Sequence, residues 1–123
     1  MIDHIGFGVR DFERSRSFYV RALCPLGYTV VVSAPMWAML GRDGKPCVWF
    51  GERDFLPGPL HLAFGARCRA EVDAFYAAAL KGGGHDNGAP GVRRQYHPHY
   101  YAAFVLDPDG NNIEAVCHAQ ELR

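Results

Sequence analysis

The chain has 123 residues, 49% hydrophobic and 21% charged, which is the makeup of one folded domain with room for a core. Its 13 basic and 13 acidic residues cancel, so nothing in the charge balance suits a phosphate backbone and no nucleic-acid partner is expected. No apolar run reaches the length of a membrane span and Met1 leads straight into a strand-like segment, so no membrane association is expected and a cytoplasmic location is.

From Ile2 to Val9 the sequence alternates. Ile5, Phe7 and Val9 are bulky, while His4, Gly6 and Gly8 fall on the other face, as in a half-buried strand. Asp11 is placed to cap a helix whose apolar stripe is Phe12, Ser15, Phe18, Tyr19 and Ala22, ending at Gly27. Short strands are expected over 28–34, 37–40 and 47–50, separated by turn signals at Pro35 and from Gly41 to Gly44. A strand from His61 to Gly65 follows, with Leu62 and Phe64 bulky and His61, Ala63 and Gly65 opposite. A helix over 70–80 presents Val72, Phe75, Tyr76, Ala79 and Leu80, and the three glycines 82–84 stop it. The stretch 85–99 is polar and rich in Gly and Pro, and reads as a weak or irregular strand. Strands over 100–106 and 112–116 close the chain, joined by a tight turn at 107–111. Four cysteines, Cys24, Cys47, Cys68 and Cys117, show no CxxC spacing and read as reduced packing residues.

The two halves repeat. With an offset of 57, the segment from His4 to Leu23 aligns without a gap on that from His61 to Leu80. The two are identical at His, Phe, Gly, Arg, Phe, Tyr, Ala and Leu, eight of 20 positions. Two copies of one β-α-β-β-β unit are implied, each unable to bury its apolar face alone. Module 1 covers 1–50, a linker 51–59 and module 2 60–123, all in one domain. A pseudo-twofold pairing brings His4 and His61 into one shared space.

Glu114 lies mid-strand between apolar neighbours, where a carboxylate needs a partner or a metal. If the turn closes with Asp107 opposite Asn112, Glu114 pairs with Val105 and shares its face with Tyr101. Two histidines and a carboxylate on facing strands match a metal site with open positions, and the expected ligands are His4, His61 and Glu114. The loop carrying Arg93, Arg94, Tyr96, His97, His99 and Tyr100 reads either as a substrate lid or as a plain surface loop.

Four segments carry a family resemblance. They are Asp3-His4-Ile5-Gly6, Ser17-Phe18-Tyr19 with Leu26-Gly27-Tyr28, Leu60-His61-Leu62-Ala63-Phe64, and Asp107-Pro108-Asp109-Gly110-Asn111-Asn112-Ile113-Glu114. On these the chain resembles the vicinal oxygen chelate superfamily of glyoxalases, bleomycin-resistance proteins and extradiol dioxygenases. The resemblance implies an α+β fold, with two βαβββ modules forming an eight-stranded curved mixed sheet around a cavity and the helices outside. It also implies ligands from the first and last strands of each half. Aligning Asp43-Gly44 with Asp109-Gly110 puts Val48 at the fourth ligand position, with Glu52 a weak substitute, and this disfavours a glutathione-dependent glyoxalase I.

Two functions follow from the resemblance. One is a divalent-metal enzyme (Mn, Fe, Ni or Zn) that chelates a small oxygenated substrate, with Glu114, Tyr101 or His97 moving protons and Arg93 in the binding wall. The other is a metal-free protein that binds a flat small molecule between Trp37, Trp49, Phe50 and Tyr101. A homodimer is expected in either case, its contact made by the helix faces bearing Phe12, Tyr19, Phe75 and Tyr76.

Overall fold

The computed structural model describes residues 2–54, 56 and 58–120. The expected linker over 51–59 thus includes two positions, 55 and 57, that lie outside the described residues.

Each half is a βαβββ module. The first holds β1 (Ile5–Val9), α1 (Phe12–Leu23), a single 3₁₀ turn at Cys24–Leu26, β2 (Thr29–Ser33), β3 (Trp37–Arg42) and β4 (Lys45–Glu52). The second holds β5 (His61–Gly65), α2 (Arg69–Lys81), β6 (His85–Val92), β7 (Tyr101–Leu106) and β8 (Asn112–Cys117). Asp11 caps α1 by accepting from Arg14 N–H at 3.1 Å. The Gly/Pro-rich stretch forms β6, and its irregularity shows as register shifts between Asp86 and Gly88 and between Gly88 and Gly91.

The strand orders are β1-β4-β3-β2 and β5-β8-β7-β6, with β1–β4 and β5–β8 parallel and the remaining pairs antiparallel. The eight strands therefore make two four-stranded mixed sheets, with β1 and β5 each at an edge, and no closed barrel. The helices explain the division. α1 and α2 pack on each other as well as on their own sheets, so one core serves both modules. Tyr28 and Phe64 meet edge-on across the module boundary at 5.5 Å. Gly84 sits where a Cβ would lie 2.6 Å from Phe18 Cε1 and 2.4 Å from Val105 Cγ1, so only glycine allows that approach.

The bulky strand faces point at the helices as the alternation predicts: Phe7, Val9, Val48, Phe64, Val105 and Ile113 are buried. The expected dimer contact does not survive. Phe12, Tyr19 and Phe75 are fully covered by the shared core, and Tyr76 is half-buried with its hydroxyl on Asp86 at 3.0 Å. Those faces are aromatic because they fill the interior. All four cysteines are free thiols. Among the described residues no helix is long and apolar enough to cross a membrane.

Candidate functional site

On the second sheet the structure brings together two of the three expected ligands. His61 opens β5 and Glu114 is central in β8, two residues on from direct register and so on the same face, since Asn112 pairs with His61 and Glu114 with Ala63. His61 Nε2 lies 2.8 Å from Glu114 Oε1, and the Tyr100 hydroxyl donates to Glu114 Oε2. The carboxylate side chain is 2% exposed and the imidazole 55%. A buried carboxylate of this kind must be satisfied, and both oxygens are. The bond requires the proton of His61 to sit on Nε2. Burial first, then the bond to Glu114, pushes the Tyr100 phenol up to about 12, so it remains a donor at any physiological pH.

Tyr100 takes the place the sequence reading gave to Tyr101, because the β7–β8 register differs by one residue. Leu106 faces Asn112, Phe104 faces Glu114 and Tyr101 faces Cys117. The cause is the turn. Asp107 stands outside the ladder: its N–H bonds Asn111 O at 2.9 Å, and its carboxylate accepts from Asp109 N, Asn111 N, Asn111 Nδ2 and the Tyr19 hydroxyl. The five residues from Asp107 to Asn111 thus form the loop. A one-residue slip reverses faces. Tyr101 therefore turns to the helix side, where it donates to Asp73 Oδ1 at 2.6 Å and lies under the Arg69 guanidinium. It is neither a proton-transfer group nor a ligand-stacking ring for this site.

The third expected ligand lies elsewhere. His4 precedes β1 on the first sheet and lines an open depression of about 400 Å³ with Gly6, Met39, Trp49 and Arg53. Its Nδ1 bonds Asp3 Oδ1 at 2.8 Å, and Asp3 is also paired with Lys45 at 3.7 Å. The bond from His4, then the charge of Lys45, holds the Asp3 carboxyl below its usual value. Among the described residues no group of three or more His, Cys, Asp or Glu is placed to hold a metal ion. Within one chain His4, His61 and Glu114 do not converge, because the modules share their helix-side core and leave the histidine-bearing faces on separate sheets.

The pseudo-symmetry also corrects the fourth position. Gly6 pairs with Trp49 in β1–β4 as Ala63 pairs with Glu114 in β5–β8, so Trp49 is the counterpart of Glu114. Val48 faces the core at 2% exposure. The offset between the halves changes here because a two-residue turn, Asp43-Gly44 with φ 52° and 76°, joins β3 to β4, against five residues between β7 and β8. Glu52 is not a substitute ligand: its Oε2 caps α1 by accepting from Phe12 N at 3.0 Å. The Trp49 indole lies against Gly6, under the Arg53 guanidinium at 5.3 Å and 6.4 Å from Trp37. Phe50, expected beside them, is fully buried on the opposite face with Phe7, Phe12 and Tyr19.

The loop after β6 meets the second sheet. His97 Nδ1 accepts from His99 N at 3.0 Å, its ring lies 5.8 Å from that of His118, and His118 lies 5.1 Å from Tyr100. His97 is therefore two ring contacts removed from Glu114. Arg93 reaches inward, its guanidinium 5.5 Å above the Phe104 ring.

A family model for the Glyoxalase/Bleomycin resistance protein/Dioxygenase superfamily matches residues 1–115. The chain is similar to the crystal structure of a glyoxalase/bleomycin resistance protein from Albidiferax ferrireducens, at 29% identity over 94% of this chain and 96% of that one, with a TM-score of 0.77. A glyoxalase/bleomycin resistance protein/dioxygenase family enzyme from Burkholderia phytofirmans shares the fold at 20% identity, 96% and 98% coverage and a TM-score of 0.74. So does a putative glyoxalase from Bacillus halodurans, at 24% identity, 95% coverage of each chain and a TM-score of 0.72. No functionally curated protein shows significant similarity to the chain. Matched over nearly its whole length, the chain belongs to the Glyoxalase/Bleomycin resistance protein/Dioxygenase superfamily.

Proposed function

We propose that this protein is a divalent-metal-dependent enzyme acting on a small oxygenated substrate, and that its site is completed between two copies of the chain. The observation that carries this reading is the His61–Glu114–Tyr100 cluster on the open face of the second sheet. A nitrogen and a carboxylate oxygen side by side form a donor pair suited to a divalent ion. One chain stops at two such donors, which is too few. His4 is the missing type. Its Nδ1 is held by a carboxylate, the pairing that ligating histidines use, and Nε2 is then the ring's acceptor nitrogen. A twofold pair that sets the first sheet of one copy against the second sheet of the other supplies His4 to each cluster.

A bound ion would act as a Lewis acid on the substrate's oxygens. The chain's own residues do the rest. For Nε2 to hold an ion, the His61 proton would move to Nδ1, the other neutral tautomer. Glu114, freed from His61, accepts a proton or a ligand bond, and Tyr100 remains a neutral donor beside it. Trp37, Met39 and Trp49 give the first sheet an apolar wall.

The test is subunit complementation followed by manganese calorimetry. His4→Ala and Glu114→Ala should each lose the site. Co-expressed in equal amounts, they should regain about a quarter of the wild-type sites, because mixed pairs hold one intact site each. Wild-type binding by His4→Ala, or no recovery in the mixture, overturns the reading. Trp49 at the position equivalent to Glu114 favours a second reading, a metal-free protein that binds a flat ligand against Trp37 and Trp49. That reading takes over if the wild type binds no metal.

A further inference from the structure

We infer that the molecule taken by this site carries a carboxylate or similar oxyanion, and that Arg93 recognises it. The inference deepens the proposed function and rests on the His61–Glu114 cluster being the binding site. Phe104 is the cross-strand partner of Glu114, and its ring lies 6.3 Å from that of His61. The Arg93 guanidinium lies over the same ring at 5.5 Å. Imidazole, carboxylate, phenyl ring and guanidinium are thus neighbours on one open sheet face.

Arg93 is held in place. Its N–H donates to Tyr100 O at 2.7 Å, and its carbonyl accepts from Tyr96 N at 3.1 Å. The side chain lies along β6, where Nη2 donates to Ala89 O at 2.7 Å. Two glycines make the slot. A Cβ at Gly91 would come within 2.9 Å of Nη1, and one at Gly88 within 3.2 Å of Nη2. The register shifts of β6 fall at these residues, so the strand's irregularity shapes the seat.

What the seat lacks is a counter-ion. Arg10 pairs with Asp109 and Arg67 with Glu71, but among the described residues no carboxylate pairs with Arg93. Glu114 is already bonded by His61 and Tyr100. A guanidinium has five N–H donors in a planar fork that matches a carboxylate, and a single carbonyl leaves most of them for a ligand. Half-burial and the ring beneath strengthen an ion pair there relative to open water.

The experiment compares mandelate with mandelamide, a neutral analogue of nearly equal size, by calorimetry at constant ionic strength, with and without manganese. Wild type should bind mandelate on the order of tenfold more tightly. Arg93→Gln should remove that preference by weakening mandelate alone, and Arg93→Lys should restore part of it. Gly91→Ala, which keeps the charge but crowds its seat, should also weaken mandelate. Equal binding of the two probes by wild type, no binding of either at millimolar concentration, or a preference untouched in Arg93→Gln overturns the inference. Failure of subunit complementation with the charge preference intact would instead remove the metal-centre reading and leave this one standing.

Discussion

Tyr100 and Tyr101 are adjacent in the chain and serve opposite faces: the first donates to Glu114 on the open side of the sheet, the second to Asp73 on the helix side. Replacing Tyr100 by Phe leaves a buried carboxylate oxygen without its donor, at a cost of about 1–3 kcal/mol. Replacing Tyr101 by Phe removes a bond to an exposed aspartate, for about 0.5–1 kcal/mol. Urea unfolding should rank them so. Manganese binding should change in Tyr100→Phe and not in Tyr101→Phe.

Alkaline pH gives a second check. The Tyr100 phenol titrates at about 12, against an ordinary 10.0, so the folded state holds that proton more tightly than the unfolded chain. The associated stability is complete below pH 10 and lost as pH rises through 12. Glu114→Gln removes the anion but not the burial, which is the larger cause. Tyrosinate absorbance should therefore show one titration moving partway back toward 10.

Trp49→Glu places a carboxylate at the pseudo-symmetric counterpart of Glu114, beside His4. In the proposed two-copy site this would be a fourth donor. Manganese should bind more tightly, by about tenfold or more. Calorimetry on Trp49→Glu and Trp49→Gln separates the added charge from the lost indole, and equal affinities would show that this position does not face the ion.

Neither module should fold alone. Ending the chain after Glu52 exposes Phe18, Tyr19 and Tyr28, whose neighbours Val105, Asp107 and Phe64 belong to the second half. Circular dichroism of such a fragment is expected to show no cooperative melting.

Period and repetition made much of this legible. The His4 and His61 copies gave two equivalent strands, alternation assigned Phe7, Val9 and Phe64 to the interior, and Asp11 marked the start of α1. What escaped depends on single-residue offsets. Whether Asp107 belongs to strand or loop is decided by its four hydrogen bonds, and that choice exchanges Tyr101 for Tyr100. The unequal turns exchange Val48 for Trp49 in the same way. How the modules dock is a further level. The aromatic stripes on α1 and α2 were correctly apolar, but whether they meet each other or another molecule depends on long-range packing that periodicity does not encode.

The Asp107–Asn111 turn also ties the modules together, through the Tyr19 hydroxyl on Asp107 at 2.5 Å and the Arg10 N–H on Asp109 at 3.2 Å. Tyr19→Phe should cost about 1–3 kcal/mol by removing a buried donor from Asp107. Thermal melts of the variant with and without manganese should show the same loss. The most recognisable acidic motif in the chain is thus a latch, ending three residues before Glu114, the carboxylate proposed to bind. In a screen for inactive variants, substitutions at Asp107 and Asp109 will be recovered alongside those at Glu114. They will mimic damage to chemistry until abundance and melting temperature are scored together with activity.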